Sequence, residues 1–189
     1  ADTVRIIETG EHKLIDIGLV EEEAMLLMTS IGWDADIVAN VATSRRDQVS
    51  NWDYVRAAML RLQNWQPPLL TVTVDDELLV DRQRGWIVVS NASEYGGRVN
   101  PAPMACMDDR LLDVTFFRAS STLELMSWML RCRFARQISA PGFVHRRAAS
   151  SVCISSAVPV RWQLDGDPPP SSSSTRTEHL SISLSDLRL

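Results

Sequence analysis

Between Val158 and Asp165 apolar and polar residues alternate without a break. Val158, Val160, Trp162 and Leu164 fall on one side of an extended chain, and Pro159, Arg161, Gln163 and Asp165 on the other. A period of two predicts a strand with one buried face. The same reading puts Leu70, Val72 and Val74 on one face, with Asp75-Asp76-Glu77 as a hairpin turn into "LLVD". "GWIVVSNAS" and "LLDVTFFRA" read as further buried strands. Near the start, Lys13 to Val20 and the apolar run "AMLLMTSIG" predict a strand pair joined around Glu21 to Glu23.

Helical spacing is rarer. "WDADIVANVA" after Gly32 turns helical in character, with Asp34 placed to cap a helix beginning near Ala35. Trp52, Val55, Met59 and Leu62 recur every three or four residues, and Ser50 with Asp53 makes an N-terminal cap, so a helix is predicted from Ser50 to Pro67. Another is predicted over Thr122 to Arg133. Ser121 and Glu124 form its capping box, and Leu123, Met126, Met129 and Leu130 are expected to face inward. "DPPPSSSSTRTEH" has the composition of a linker, and Leu180, Ile182 and Leu184 alternate again in a terminal strand. Short strands at turn-bounded spacing with few helices predict a mainly β (α+β) protein, an antiparallel β-sandwich, whose loops carry the chemistry.

Composition narrows this picture. The 189 residues suit one domain with an appended segment, and 45% apolar with 23% charged residues is ordinary for a soluble globular protein. A net charge of −5 argues against nucleic acid as a partner. Arg131, Arg133, Arg136, Arg146 and Arg147 form a local basic concentration that could meet anionic headgroups, though solvated arginines are the plainer reading. Cys106, Cys132 and Cys153 are odd in number and widely spaced, which points to a reducing, cytoplasmic setting. "ADTVRIIETG" has no leader pattern, and the missing initiator Met suggests a fragment. His12, His145 and His179 have no partner at a recognisable spacing and read as surface residues.

One stretch resists a packing explanation. "NASEYGGRVNPAPMACMDDRLLDV" is too irregular for a helix and too polar for a core. Taken in order with "IDIGLV", "SIGWDADIV" and "WQLDGD", it resembles the C-terminal half of the diacylglycerol kinase and sphingosine kinase superfamily, in particular its bacterial soluble lipid kinases. The resemblance runs from about Val4 to Asp167 and loosely through the final strand. It implies a β-sandwich that carries lipid-site elements, following an α/β domain with a "GGDGT" nucleotide loop. No such loop occurs in this sequence.

The resemblance also assigns roles. Asp167, with Asp165, matches the base-like acid of the family's "DGE", and aspartate there is one methylene shorter, a reach difference of about 1 Å. A divalent cation, Mg2+ or Ca2+, is expected on the carbonyls of Cys106 and Leu111 and the carboxylate of Asp109. Arg110 departs from the family's glycine. Gly32, Asp34, Gly96 and Gly97 are expected to shape the site. The function implied is the lipid-substrate domain of an ATP-dependent kinase acting on a hydroxyl such as that of diacylglycerol, in phospholipid metabolism. ATP would be held by the N-terminal kinase domain, towards which the terminal strand would cross. The isolated chain is expected to be inactive, with peripheral membrane contact and self-association both compatible. The rival reading is a non-catalytic lipid- or partner-binding module derived from such a kinase.

Overall fold

The computed structural model describes residues 9–10, 12–44, 66–94, 99–170 and 175–189. Strands β1 (Asp16–Val20), β2 (Glu23–Met25) and β3 (Met28–Ile31) precede helix α1 (Trp33–Ser44). Strands β4 (Leu69–Val74), β5 (Glu77–Ser90) and β6 (Leu112–Arg118) lead to helix α2 (Thr122–Arg133). Strands β7 (Phe143–Ala148), β8 (Ser151–Leu164) and β9 (Arg176–Arg188) follow. The helix expected from Ser50 to Pro67 lies almost wholly outside the described residues, as do Gly96, Gly97 and the serine run of the linker.

All strand pairs are antiparallel, and the order is β2-β1-β9-β8-β3-β5-β6-β7, with β4 bridging β5 and β8. Two long strands turn this order into a sandwich. The first half of β8 pairs with β4 and its last residues, Trp162 to Leu164, with β3. Likewise β5 pairs with β4 up to Arg84 and with β3 and β6 from Gly85 onward. "LLVD" and "GWIVVSNAS" are therefore one continuous strand, not two. The alternation in "LLVDRQRG" is weak because that half is largely exposed.

The main core lies between the layers: Val72, Val80, Ile87, Val89, Val114, Phe116, Ile154, Trp162 and Ile182 are all buried. Burial of such side chains contributes about 1.5 to 3 kcal/mol each. A second core sits on the outer face of the β3-β5-β6-β7 layer. Trp86 stacks on Phe117 with centroids 4.6 Å apart, Trp128 meets Phe117 edge-on at 5.4 Å, and Leu125 and Cys132 close it from above.

Helix α2 begins where its cap predicts, since the Ser121 hydroxyl accepts from the Glu124 N–H and the Glu124 carboxylate accepts from the Ser120 N–H and hydroxyl. Its orientation differs from expectation. Leu125, Trp128 and Cys132 face the core, whereas Leu123, Met126 and Leu130 are exposed and only Met129 packs partly inward. The helix is apolar on two opposite sides. Trp128 decides which goes in, because it fills the aromatic cluster and donates its Nε1–H to the Arg118 carbonyl at 2.8 Å.

The terminal strand also departs from expectation. β9 lies between β8 and β1, hydrogen-bonded to both, so its described neighbours are strands of this chain and not of a separate domain. Two regular alternations facing the same core explain the pairing, with Leu180 and Ile182 buried beside Ile154 and Val152.

Candidate functional site

Two acidic turns meet at one end of the sheet layers. The first is the Asp165-Gly166 connection. Leu164 and Asp167 exchange both N–H···O bonds at 2.9 Å, and φ is +50 at Asp165 and +87 at Gly166, so these two residues form a primed hairpin turn. Asp165 is a buttress. Its carboxylate accepts the backbone N–H groups of Leu26, Leu27 and Met28, each at 2.8 Å, and its own N–H donates to the Met28 carbonyl. Asp167, by contrast, is exposed at the rim.

A short polar relay connects this turn to the second. The Asn91 side-chain amide donates to the carbonyls of Leu26 (2.9 Å) and Asp16 (2.8 Å), and the Asp16 N–H donates to Met107 in the acidic turn. The Asp16 carboxylate is fully buried. It accepts the Arg110 N–H at 2.6 Å, and the Arg188 Nε comes within 2.8 Å, though off the axis of a hydrogen bond. Sequence reasoning singled out none of Asp16, Asn91 and Arg188. A lone aspartate inside the apolar strand "IDIGLV" was the available signal.

The "CMDDRL" turn is tightly partnered by this chain's own groups. The Asp109 carboxylate accepts from the Leu111 N–H at 3.1 Å and faces the Arg147 guanidinium at 3.8 Å. Asp108 pairs with Lys13 at 2.6 Å and accepts from the Cys106 thiol at 2.9 Å, while its carbonyl accepts from Arg188 at 3.0 Å. The thiol and the ammonium group hold the Asp108 carboxyl below its ordinary range, and the same contact pushes the Cys106 thiol up. Arg110 does sit in the left-handed region, with φ +62, a strain of about 1 to 2 kcal/mol for a non-glycine residue. Its amide bond to Asp16 and a guanidinium bond to the Ser185 carbonyl at 3.1 Å hold it there.

These contacts bear on the expected cation. Among the described residues no three His, Cys, Asp or Glu side chains are grouped to hold a metal. An ion on Asp109 and the carbonyls of Cys106 and Leu111 would share its one carboxylate with Arg147, in a turn whose other carboxylate, Asp108, is already paired with Lys13. The oxygen donors are of the kind a hard dication takes, but such an ion would compete with Arg147 for Asp109, and no step below is routed through one.

The remaining site residues lie at the start of α1. The helix begins at Trp33, so Asp34 is inside the first turn and not at the cap; it is buried and accepts from the Ser30 hydroxyl. A side chain at Gly32 would run into the Trp86 ring, its Cβ 2.5 Å from the nearest ring carbon, so the close approach of strand and indole requires glycine. Gly32 and Asp36 line a cavity of about 370 Å3 with Arg84, Arg161 and Arg176. His145 is not a surface residue. It is half-buried, and its Nε2 lies 2.5 Å from the buried Asp113 carboxylate, which reaches it from the neighbouring strand. Thr115 and His145 share a second cavity, of about 240 Å3, with Ala102, Pro103, Met104, Ile138 and Phe143.

Comparison with known proteins agrees with the fold. Residues 28–181 match the YegS C-terminal NAD kinase beta sandwich-like domain, and the chain belongs to that family. Solved structures from Bacillus anthracis str. Sterne superpose on nearly all of it. One described as a candidate diacylglycerol kinase aligns with TM-score 0.68 and 16% identity, covering 97% of this chain and 57% of that one. Another, described as a diacylglycerol kinase, aligns with TM-score 0.61 and 15% identity, covering 97% and 54%. This chain thus spans just over half the length of those proteins. The comparison with curated proteins gave no match. Among the described residues no helix is long and apolar enough to cross a membrane.

Proposed function

We propose that this chain is the lipid-substrate domain of an ATP-dependent lipid kinase, acting on a lipid alcohol such as diacylglycerol. The observation that carries the reading is the Asp165-Gly166-Asp167 turn. Three backbone amides lock Asp165, and the exposed Asp167 carboxylate is thereby set on a rigid hairpin at the same sheet end as the acidic turn.

In this reading ATP is brought by a nucleotide-binding domain joined to this one. The acceptor oxygen forms its bond to the γ-phosphorus as the bond to the departing ADP oxygen breaks, and the hydroxyl proton passes to Asp167. Asp165 is a positioning residue, because its oxygens are committed to Leu26, Leu27 and Met28.

The test is the full-length gene product with labelled ATP and diacylglycerol, comparing wild type with Asp167→Asn and Asp167→Glu. Loss of about 100-fold or more in kcat for Asn, with activity kept by Glu, supports a proton acceptor at this position. Equal activity of wild type and Asp167→Asn would remove Asp167 from the mechanism. An inactive full-length wild-type protein that still binds diacylglycerol would favour the non-catalytic module, for which the left-handed Arg110 is the structural hint.

A further inference from the structure

The outward side of α2 carries an apolar stripe that no described element of the fold covers. Leu123 is 78% exposed, Met126 50%, Leu130 62% and Phe134, at the C-cap, 60%. Their spacing of three, four and four places them above one another, on the side of the helix opposite Leu125, Trp128 and Cys132. Ile138 (54%) and Met104 (60%), which line the 240 Å3 cavity, are exposed as well. A helix apolar on two opposite sides has its core on one and calls for a second apolar environment on the other.

Charge indicates which environment. The chain is net acidic at −5, yet residues 131–136 hold Arg131, Arg133 and Arg136 and no acid. At about 100° per residue, Arg131 and Arg133 fall on either flank of the stripe. Both lie against aromatic rings beside it, with Arg131 5.9 Å from the Trp128 ring centre and Arg133 5.6 Å from that of Phe134. Long cationic side chains bordering exposed Leu, Met and Phe are the arrangement of a helix lying in a lipid interface.

We propose that the outer face of α2, continued by Phe134, docks on an anionic lipid bilayer. The apolar side chains enter the boundary between headgroups and acyl chains, and Arg131 and Arg133 meet lipid phosphates. The inference goes beyond the kinase reading and needs neither ATP nor a second domain, so the two can fail separately.

The experiment is co-sedimentation of the chain with vesicles of phosphatidylcholine alone and of phosphatidylcholine mixed with phosphatidylglycerol. Wild type should partition onto the mixed vesicles, less so as salt is raised, and poorly onto the neutral ones. Leu130→Ser with Phe134→Ser should lower partitioning at least tenfold. Arg131→Gln with Arg133→Gln should lower it about fivefold per arginine on mixed vesicles only. Leu78→Ser, at an exposed leucine on β5, is the control that should bind like wild type. Melting curves check folding, and Leu123→Gln with Met126→Gln replaces the first pair if that pair unfolds. Absence of partitioning by wild type, or unchanged partitioning by the variants, overturns the proposal. So does self-association abolished by the same substitutions, which would give the face to a second copy of the chain.

Discussion

The Arg188 guanidinium, on the last strand, lies 2.8 Å from the buried carboxylate of Asp16 on the first, and also donates to the Asp108 carbonyl at 3.0 Å. One side chain thus ties the first and last strands, which are neighbours in the sheet, to the acidic turn. Arg188→Ala leaves a buried carboxylate with the Arg110 amide and a more distant guanidinium as partners, and is expected to cost about 3 kcal/mol. Urea unfolding measures it; a loss under about 0.5 kcal/mol would show that the pair is dispensable.

Asp165 offers a cleaner separation of structure from chemistry. Asp165→Ala strands three amides in the Leu26 to Met28 segment and puts a less suitable residue at φ +50, a combined loss of about 3 kcal/mol. Asp165→Asn keeps an acceptor and tolerates that backbone, so it is expected to lose about half as much. Equal melting temperatures for wild type and both variants would contradict the buttress.

Asp75 sets an acid limit. Burial works against its charge, but the N–H groups of Ala149, Ser151 and Ser150 and the Ser150 hydroxyl outweigh it and hold the carboxyl at about 2, against an ordinary 3.8. A depressed folded value contributes stability above the unfolded value and loses it as pH falls through the folded one. Wild type is therefore expected to exceed Asp75→Asn by about 1 to 2 kcal/mol above pH 4, after screening of this partly exposed group, with the gap closing by about pH 2. Urea unfolding across that range checks it, and a gap that is constant with pH would assign it to packing.

The thiols should differ in reactivity. Burial pushes Cys132 up to about 12, and the hydrogen bond to Asp108 raises the exposed Cys106. Thiolate is the reactive form, so Cys132 should stay unlabelled by a disulfide reagent until the protein unfolds. Asp108→Ala should speed labelling of Cys106 severalfold. Mass spectrometry of quenched samples distinguishes the sites, and equal rates at Cys106 in both proteins would deny the contact.

Because the acidic turn is charge-balanced by Lys13, Arg147 and Arg188, Mg2+, Ca2+ and EDTA are each expected to leave the melting temperature unchanged. A rise of several degrees with either ion would place a dication in the turn.

What the sequence disclosed follows the range over which each signal acts. The Asp75-Asp76 turn and the Ser121 cap are local, and each stands in the structure where the residues place it. The Val158 to Leu164 run is a strand, but Val158 is exposed and Gln163 buried where β8 passes from β4 to β3, so the alternation marked the strand and not its covered face. The facing of α2 was not legible, because both sides are apolar and only the fit of Trp128 against Phe117 and Arg118 selects one. The pairs Asp16–Arg188 and Asp113–His145 join residues distant in the chain, so no spacing rule reveals them. Asp165 was legible as part of a turn. Its work as an acceptor for Leu26 to Met28 depends on β3 lying beside β8.

β5 and β8 each run through both layers of the sandwich. Neither layer can part from the other without breaking a strand that both share, so the described layers are expected to move and unfold together as one cooperative unit. In the lipid-kinase reading proposed above, closure over an acceptor would then come from loops or from a separate body moving against this one, while the sandwich serves as its anvil.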